Sequence, residues 1–81
     1  MKEILIVEDN LPLSGILKGW LEKKGYAATT ALDEPKARRL LQSRDISLVL
    51  ADVRLPEGDG IALLEWMRVQ HVHIPYVIMT S

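Results

Sequence analysis

Four short segments rich in aliphatic or small residues punctuate the chain, and longer stretches with helical spacing of apolar residues separate them. The four segments are residues 4–7, 26–31, 46–51 and 76–79. The continuous aliphatic runs predict strands that are buried on both faces, as in a parallel sheet. The second segment alternates small and polar residues, which is typical of a weaker strand at a sheet edge.

The three intervening stretches predict helices. The first covers roughly residues 11–24 and is followed by Gly25 as a C-terminal stop. Asp33 and Asp59 stand at the N-cap positions of the second and third helices, and the third is expected to run to about residue 69 or 70. The apolar face of the first helix is predicted to consist of Leu13, Ile16, Leu17, Trp20 and Leu21.

The resulting order is strand, helix, strand, helix, strand, helix, strand. This order predicts an α/β fold with a doubly wound parallel sheet, right-handed crossovers and helices on both faces. In such sheets ligands bind outside the carboxyl ends of the strands, where the strand order reverses. Functional residues are therefore expected at the carboxyl ends of the strands.

Composition narrows the class of protein. The 81 residues are 48% hydrophobic and 26% charged, which suits one small globular domain, residues 1–81. The formal charge of −1 argues against nucleic-acid binding by this segment. No apolar run approaches the roughly 20 residues of a membrane helix, and acids interrupt the first one too early for a signal peptide. The absence of cysteine is compatible with a reducing cytoplasm, and a cytoplasmic location is our expectation.

Acidic residues follow two of the aliphatic strands. Glu8 and Asp9 come directly after the first, and Asp52 follows the third. If these two strands are neighbours, the carboxylates converge, and each raises the pKa of the others unless a cation compensates. Oxygen-only ligands select Mg²⁺ or Mn²⁺ over Zn²⁺, and Mg²⁺ commonly binds one or two carboxylates together with a phosphate oxygen. The pattern predicts a divalent-metal site that takes a phosphoryl group.

Asp52 is the candidate nucleophile, because it stands alone after the central strand while Glu8 and Asp9 form a metal-holding pair. An aspartate carboxylate can accept a phosphoryl group as an acyl phosphate. After the fourth strand, the Thr80 hydroxyl and the Ser81 backbone N–H are candidate donors to phosphoryl oxygens.

Three segments in this order closely resemble the receiver domain of bacterial response regulators: residues 4–10, residues 51–60 and residues 77–81. The resemblance covers essentially the whole chain and implies a flavodoxin-like topology. It also implies that Thr80 is the switch hydroxyl. The metal ligands that it implies are Glu8, Asp9, the phosphoacceptor Asp52 and the main-chain carbonyl of Arg54.

The same resemblance implies a phosphoacceptor switch and not an enzyme. Its partners would be a sensor histidine kinase, which supplies the phosphoryl group, and an output domain or downstream effector. Family members also have a fifth strand that ends in a catalytic lysine, and a last helix, which residues 1–81 do not contain. We therefore expect a C-terminally incomplete domain whose fourth strand is an exposed edge prone to aggregation or to pairing as a homodimer.

Three alternatives remain open. The first is a pseudo-receiver, an interaction module of this fold that is never phosphorylated. The second is a phosphatase with an aspartate nucleophile, although such enzymes place a second aspartate where this chain has Arg54. A flavin-binding module is the third, although Glu8 and Asp9 would repel a phosphate there.

Single residues also have simpler interpretations. Asp9 and Asn10 precede a helix and could be caps, and Asp59 is interpreted as one. His71 and His73 are expected in a solvated connection, and the basic side chains of the first two helices on solvated faces. Trp20 and Trp66 are expected to be at least partly buried.

Overall fold

The computed structural model describes residues 2–55 and 58–79. Within these ranges, strands and helices alternate in the order that the sequence predicts, and every predicted bound lies within a residue or so of the observed one. The elements are β1 (Glu3–Val7), α1 (Leu11–Lys23), β2 (Ala27–Ala31), α2 (Glu34–Ser43), β3 (Ile46–Asp52), α3 (Gly60–Val69) and β4 (Tyr76–Met79).

The strands form one parallel sheet in the order β2-β1-β3-β4. β1 is central and pairs with β2 on one side and β3 on the other, so the condition for the acids to converge is met. Residues 4–7 of β1 are all buried, as the continuous aliphatic run predicts. The doubly wound α/β fold is confirmed.

Helices cover both faces of this sheet. One core cluster lies on the side of α2 and α3, where Leu63 and Met67 of α3 pack against Leu5 and Val49 of the strands. The cluster on the other face is smaller, and Leu21 is its buried residue from α1. Because successive side chains of a strand point to opposite faces, each central strand contributes to both clusters.

Side-chain caps fix the start of each helix, and two of them confirm the predicted caps. The backbone N–H of Lys36 donates to Asp33 Oδ1 at 2.9 Å, and that of Ala62 donates to Asp59 Oδ1 at 2.6 Å. At α1 the cap is Asn10, whose Oδ1 accepts from the N–H of Leu13. Asn10 therefore has the capping role that the sequence left open between Asp9 and Asn10. The Asp9 carboxylate is not needed for this cap.

The predicted apolar face of α1 is confirmed for Leu17 and Leu21 and wrong for its other three residues. Leu13, Ile16 and Trp20 are exposed, and Trp20 keeps 57% of its surface accessible. The helix instead turns the line of Ser14, Leu17 and Leu21 toward the sheet, a line with the same helical spacing. The Lys24 ammonium lies 5.7 Å from the centroid of the exposed Trp20 ring. By contrast, Trp66 is partly buried against the core, as expected.

In the part of the chain that the structure describes, β4 is an edge strand that pairs only with β3. Its Val77 side chain is exposed. Such an edge is a template for pairing with a further strand, and the homodimer stays a prediction. None of the described helices has the length and apolar character needed to cross a membrane.

Candidate acidic site

The carboxylates of Glu8, Asp9 and Asp52 meet at the carboxyl edge of the sheet. Each contributes a carboxylate oxygen, and the three oxygens lie within 4.8 Å of one another. Glu8 is only 3% exposed, Asp52 is half-buried and Asp9 is exposed. The three predicted acids therefore form one cluster that is open to solvent on the side of Asp9.

Strand register explains this convergence. Val7 of β1 pairs with Ala51 of β3, so the residues that follow them, Glu8 and Asp52, lie side by side at the carboxyl edge of the sheet. The N–H of Glu8 donates to the carbonyl of Ala31 at 3.0 Å, which extends the pairing of β1 with β2 by one bond. The backbone is thus fixed by hydrogen bonds up to the first acid.

Burial raises the pKa of the Glu8 carboxyl, because burial disfavours its charged form. The backbone N–H of Asn10, which donates to Glu8 Oε2 at 3.0 Å, opposes this effect by stabilising the ionised carboxylate. The neighbouring carboxyls of Asp9 and Asp52 raise the pKa further. Negative charge at this edge is therefore only partly compensated by the described protein groups, as is typical of a cation site.

A cleft of about 470 Å³ opens above the three acids. It is large enough for a hydrated ion together with a small anionic group, and its walls are mixed polar and apolar. The residues that line it are Glu8, Asp9, Asn10, Leu13, Asp52, Arg54 and Leu55.

The chain turns back sharply after Asp52. The N–H of Arg54 donates to Asp52 Oδ1 at 3.1 Å, and Arg54 also forms an isolated antiparallel bridge with Asp59. The N–H of Gly60 then donates to the carbonyl of Val53 at 3.0 Å. We call residues 53–59 the acceptor loop; residues 53–55 and 58–59 of it are described.

Gly60 allows this turn because α3 begins directly against the backbone of β3. A Cβ atom at Gly60 would lie 2.5 Å from the carbonyl oxygen of Asp52 and 3.1 Å from its carbonyl carbon. Only a residue without a side chain fits such an approach. Gly60 belongs to the segment 51–60 that carries the family resemblance, but its contact with the candidate nucleophile appears only in three dimensions.

The predicted site residues thus have different outcomes. Glu8, Asp9 and Asp52 are brought together, and Arg54 lines the same cleft. Thr80 and Ser81 lie outside the described residues, so their predicted contacts stay predictions. The histidines at 71 and 73 are exposed between α3 and β4, as expected.

Tyr76 ties β4 to the start of α3, because its hydroxyl donates to the carbonyl of Gly60. Burial raises the pKa of the Tyr76 phenol to about 12, and the carboxylates of Asp59 and Glu34 raise it as well. The folded pKa lies above the ordinary value of 10.0. The neutral Tyr76 phenol therefore makes its full contribution to folding stability below pH 10. This contribution is lost as the pH rises toward 12.

We expect the variant Tyr76→Phe to be less stable at neutral pH by about 1 kcal/mol, the usual contribution of one hydrogen bond. Its free energy of unfolding should also fall less than that of the wild type between pH 10 and 12, because phenylalanine cannot ionise. Urea unfolding at several pH values measures both effects. Parallel pH curves for the two proteins would contradict the role given to the Tyr76 hydroxyl.

Known proteins are similar to this chain in sequence. The sequence matches the family model for the response regulator receiver domain over residues 4–81. It is 35% identical over 81 residues to the nitrogen assimilation regulatory protein NtrX of Azorhizobium caulinodans, covering 98% of this chain and 18% of NtrX. It is 32% identical to the response regulator SaeR of Staphylococcus aureus, covering 100% of this chain and 35% of SaeR. The chain therefore spans about a third or less of these relatives.

Solved structures agree with the fold. The MaeR response regulator bound to beryllium trifluoride superposes with a TM-score of 0.91 at 36% identity, covering 100% of this chain and 68% of the chain in that structure. The non-phosphorylated HemR receiver domain from Leptospira biflexa gives a TM-score of 0.90 at 32% identity, covering 100% of this chain and 65% of that receiver-domain chain.

Proposed function

This chain belongs to the response regulator receiver domain family, and we propose that Asp52 accepts a phosphoryl group from the phosphohistidine of a sensor histidine kinase in an Mg²⁺-dependent reaction. The observation that carries the proposal is the meeting of Glu8, Asp9 and Asp52 within 4.8 Å at the carboxyl edge of the sheet. Carboxylates this close together raise one another's pKa, and a bound cation compensates for their mutual repulsion.

The residues present fit a hard divalent cation. Three carboxylates offer only oxygen ligands, and the partly uncompensated charge around buried Glu8 favours a cation there. We assign Glu8, Asp9, Asp52 and the backbone carbonyl of Arg54 as ligands of Mg²⁺, with Mn²⁺ as a substitute. When bound, the metal neutralises charge on the attacking carboxylate and on the phosphoryl oxygens.

The hydrogen bond from the N–H of Arg54 engages one carboxylate oxygen of Asp52 and leaves the other for attack. That oxygen forms a bond to phosphorus while the phosphorus–nitrogen bond of the donor phosphohistidine breaks. The electron pair of the broken bond stays on the imidazole nitrogen of the donor. Thr80 and Ser81 are assigned to the phosphoryl oxygens, through a hydroxyl and a backbone N–H.

We propose that the domain acts as a switch for an output domain or effector and not as an enzyme in its own right. The matched relatives are regulators, and they are several times longer than this chain. A cytoplasmic location is part of the proposal and is compatible with the absence of cysteine. Direct nucleic-acid binding is not assigned to this segment, since its net charge is −1.

Acetyl phosphate provides the test, because it phosphorylates an activated carboxylate without a kinase. With Mg²⁺, we expect intact-mass analysis to show one added phosphoryl group, and with excess EDTA we expect none. A pseudo-receiver would stay unlabelled in both conditions. A phosphatase would consume acetyl phosphate continuously, because its acyl phosphate is hydrolysed rapidly. An assay of released inorganic phosphate would detect this turnover.

The metal assignment gives a second prediction. At a concentration 100 times its dissociation constant, Mg²⁺ should stabilise the wild-type domain by about 2.7 kcal/mol. Asp9→Ala should lose most of this stabilisation, because it deletes a ligand. Its stability without metal should be unchanged or higher, since the repulsion around Glu8 decreases. Thermal unfolding with and without Mg²⁺ measures both quantities.

Asp45→Ala is the matched control for the metal experiment. Asp45 is an exposed acid that precedes β3, at the opposite end of the strand from Asp52. We expect this variant to keep the full Mg²⁺ effect. Equal Mg²⁺ stabilisation in Asp9→Ala and Asp45→Ala would refute Asp9 as a ligand.

A further inference from the structure

A buried carboxylate outside the acidic cluster lies against the acceptor loop. Glu34 is the first residue of α2 and is only 6% exposed. A carboxylate with so little access to water requires a charged partner or hydrogen-bond donors. One turn later on the same helix, a guanidinium nitrogen of Arg38 donates to Glu34 Oε1.

The Glu34 carboxyl group contacts the acceptor loop at Gly58. Gly58 has a φ of 80°, in the left-handed region, and a Cβ atom there would overlap the Glu34 carboxyl group. Glu34 therefore packs directly against the Gly58 backbone, two residues before the start of α3. Its negative charge also contributes to the raised pKa of Tyr76, whose hydroxyl binds Gly60. The contact with Gly58 places Glu34 at the C-terminal end of the acceptor loop.

Arg38 holds the Glu34 carboxylate from the other side. Its guanidinium carbon lies 5.3 Å from the ring centroid of Trp66 on α3, a cation–π distance. Arg38 Nε is buried and has no hydrogen-bond partner among residues 2–55 and 58–79. The ion pair and the cation–π contact thus account for the position of Arg38, and together with the contact at Gly58 they connect α2, α3 and the acceptor loop.

We propose that Glu34 and Arg38 form a positioning pair that holds the acceptor loop in its metal-binding shape. The pair does not touch the reacting atoms. It acts through Gly58 and the start of α3, where the N–H of Gly60 donates to the carbonyl of Val53 and Asp59 forms a bridge with Arg54. These contacts set where the Arg54 carbonyl and the Asp52 carboxylate present their oxygens. The inference rests on the proposed metal site, and it predicts that removing the pair weakens Mg²⁺ binding.

The test uses the intact protein and measures Mg²⁺ binding by calorimetry, a readout that needs no phosphorylation. Glu34→Gln keeps the shape of the side chain and removes its charge, and Arg38→Leu removes the ion pair and the cation–π contact. We expect each variant to raise the dissociation constant for Mg²⁺ by about tenfold. This is the lower end of the loss in metal affinity that follows removal of groups that orient metal ligands. Arg38→Lys keeps the positive charge but replaces the planar guanidinium with an ammonium group, so its effect should be smaller.

The second ion pair of the described chain is the matched control. Arg44 bonds Glu3 at 2.9 Å, at the end of the sheet opposite the acidic site. Glu3→Gln also breaks a salt bridge, but we expect it to leave the Mg²⁺ dissociation constant unchanged. Hydrogen exchange of the Gly60 amide, which bonds the Val53 carbonyl, should become faster in Glu34→Gln and not in Glu3→Gln.

Two outcomes would overturn the inference. If Glu34→Gln and Arg38→Leu bind Mg²⁺ with the wild-type dissociation constant, the pair stabilises α2 and does not position the site. If the wild type binds no Mg²⁺, the inference fails together with the metal site. A wild type that binds Mg²⁺ but is never phosphorylated would contradict only the proposed phosphoryl transfer, and the calorimetric comparison would still decide the role of the pair.

Discussion

Replacing Asp52 with asparagine will abolish labelling by acetyl phosphate, even at saturating Mg²⁺. The amide keeps the size and shape of the side chain but has no anionic oxygen to attack phosphorus. Because Asp52 also lies beside buried Glu8, the variant removes one of the charges that raise the Glu8 pKa. We therefore expect the metal-free variant to be at least as stable as the wild type while its labelling falls below detection. Intact-mass analysis and urea unfolding measure the two effects.

The control for this experiment lies in the same loop. Asp59→Asn makes the same chemical change, and asparagine is as good an N-cap as aspartate, so α3 should still begin at Gly60. This variant should be labelled like the wild type. Labelling of Asp52→Asn to the wild-type level would show that another residue is the acceptor and would remove the basis of the proposed function.

The second large effect is expected at Gly60. Gly60→Ala adds only a methyl group, yet that group would lie 2.5 Å from the carbonyl oxygen of Asp52. The backbone of β3 or the start of α3 must move to relieve this overlap. We expect a loss of about 1–3 kcal/mol in the free energy of unfolding, the usual range for overpacking, and slower labelling because Asp52 shifts.

Gly19→Ala separates this local overlap from the general effect of replacing glycine. Gly19 lies within α1, and no atom stands within 4 Å of the position that its Cβ would occupy. Alanine there should stabilise the domain by about 0.5–1 kcal/mol, since it reduces the entropy of the unfolded chain. The two substitutions should thus have opposite signs in urea unfolding. A stabilised Gly60→Ala variant with normal labelling would contradict the close packing described at this position.

The part of the fold that follows from local patterns was predictable from the sequence. The continuous aliphatic run of β1 and the acids that end it indicated a buried strand whose carboxyl end is functional. The convergence of Glu8 and Asp52 followed from this and from one topological rule, that ligand sites lie where the strand order reverses. Asp33 and Asp59 were predictable as caps because capping depends on residues only three positions apart.

Features that depend on long-range packing were not predictable. On α1 two lines of residues have the same helical spacing, so periodicity alone could not show that Leu21 and not Trp20 faces the sheet. The basic residues of α2 suggested a solvated face, yet the Arg38 guanidinium lies over the ring of Trp66, which is far along the chain. No local signal links these two positions, because their contact exists only once α2 and α3 pack side by side.

The crowding of carboxylates around buried Glu8 has a consequence for how this sequence can change over time. A group whose ionised form is disfavoured in the folded state is retained at a cost in stability, which selection tolerates only while the chemistry is needed. In a descendant released from phosphoryl transfer, substitutions of Glu8 by neutral residues of similar size would be favoured by folding itself. The acids should therefore disappear from such lineages sooner than Gly60, whose replacement is opposed by backbone packing whether or not the site is used. In a lineage that no longer uses phosphoryl transfer, we therefore expect the glycine to be kept and the acids to be lost.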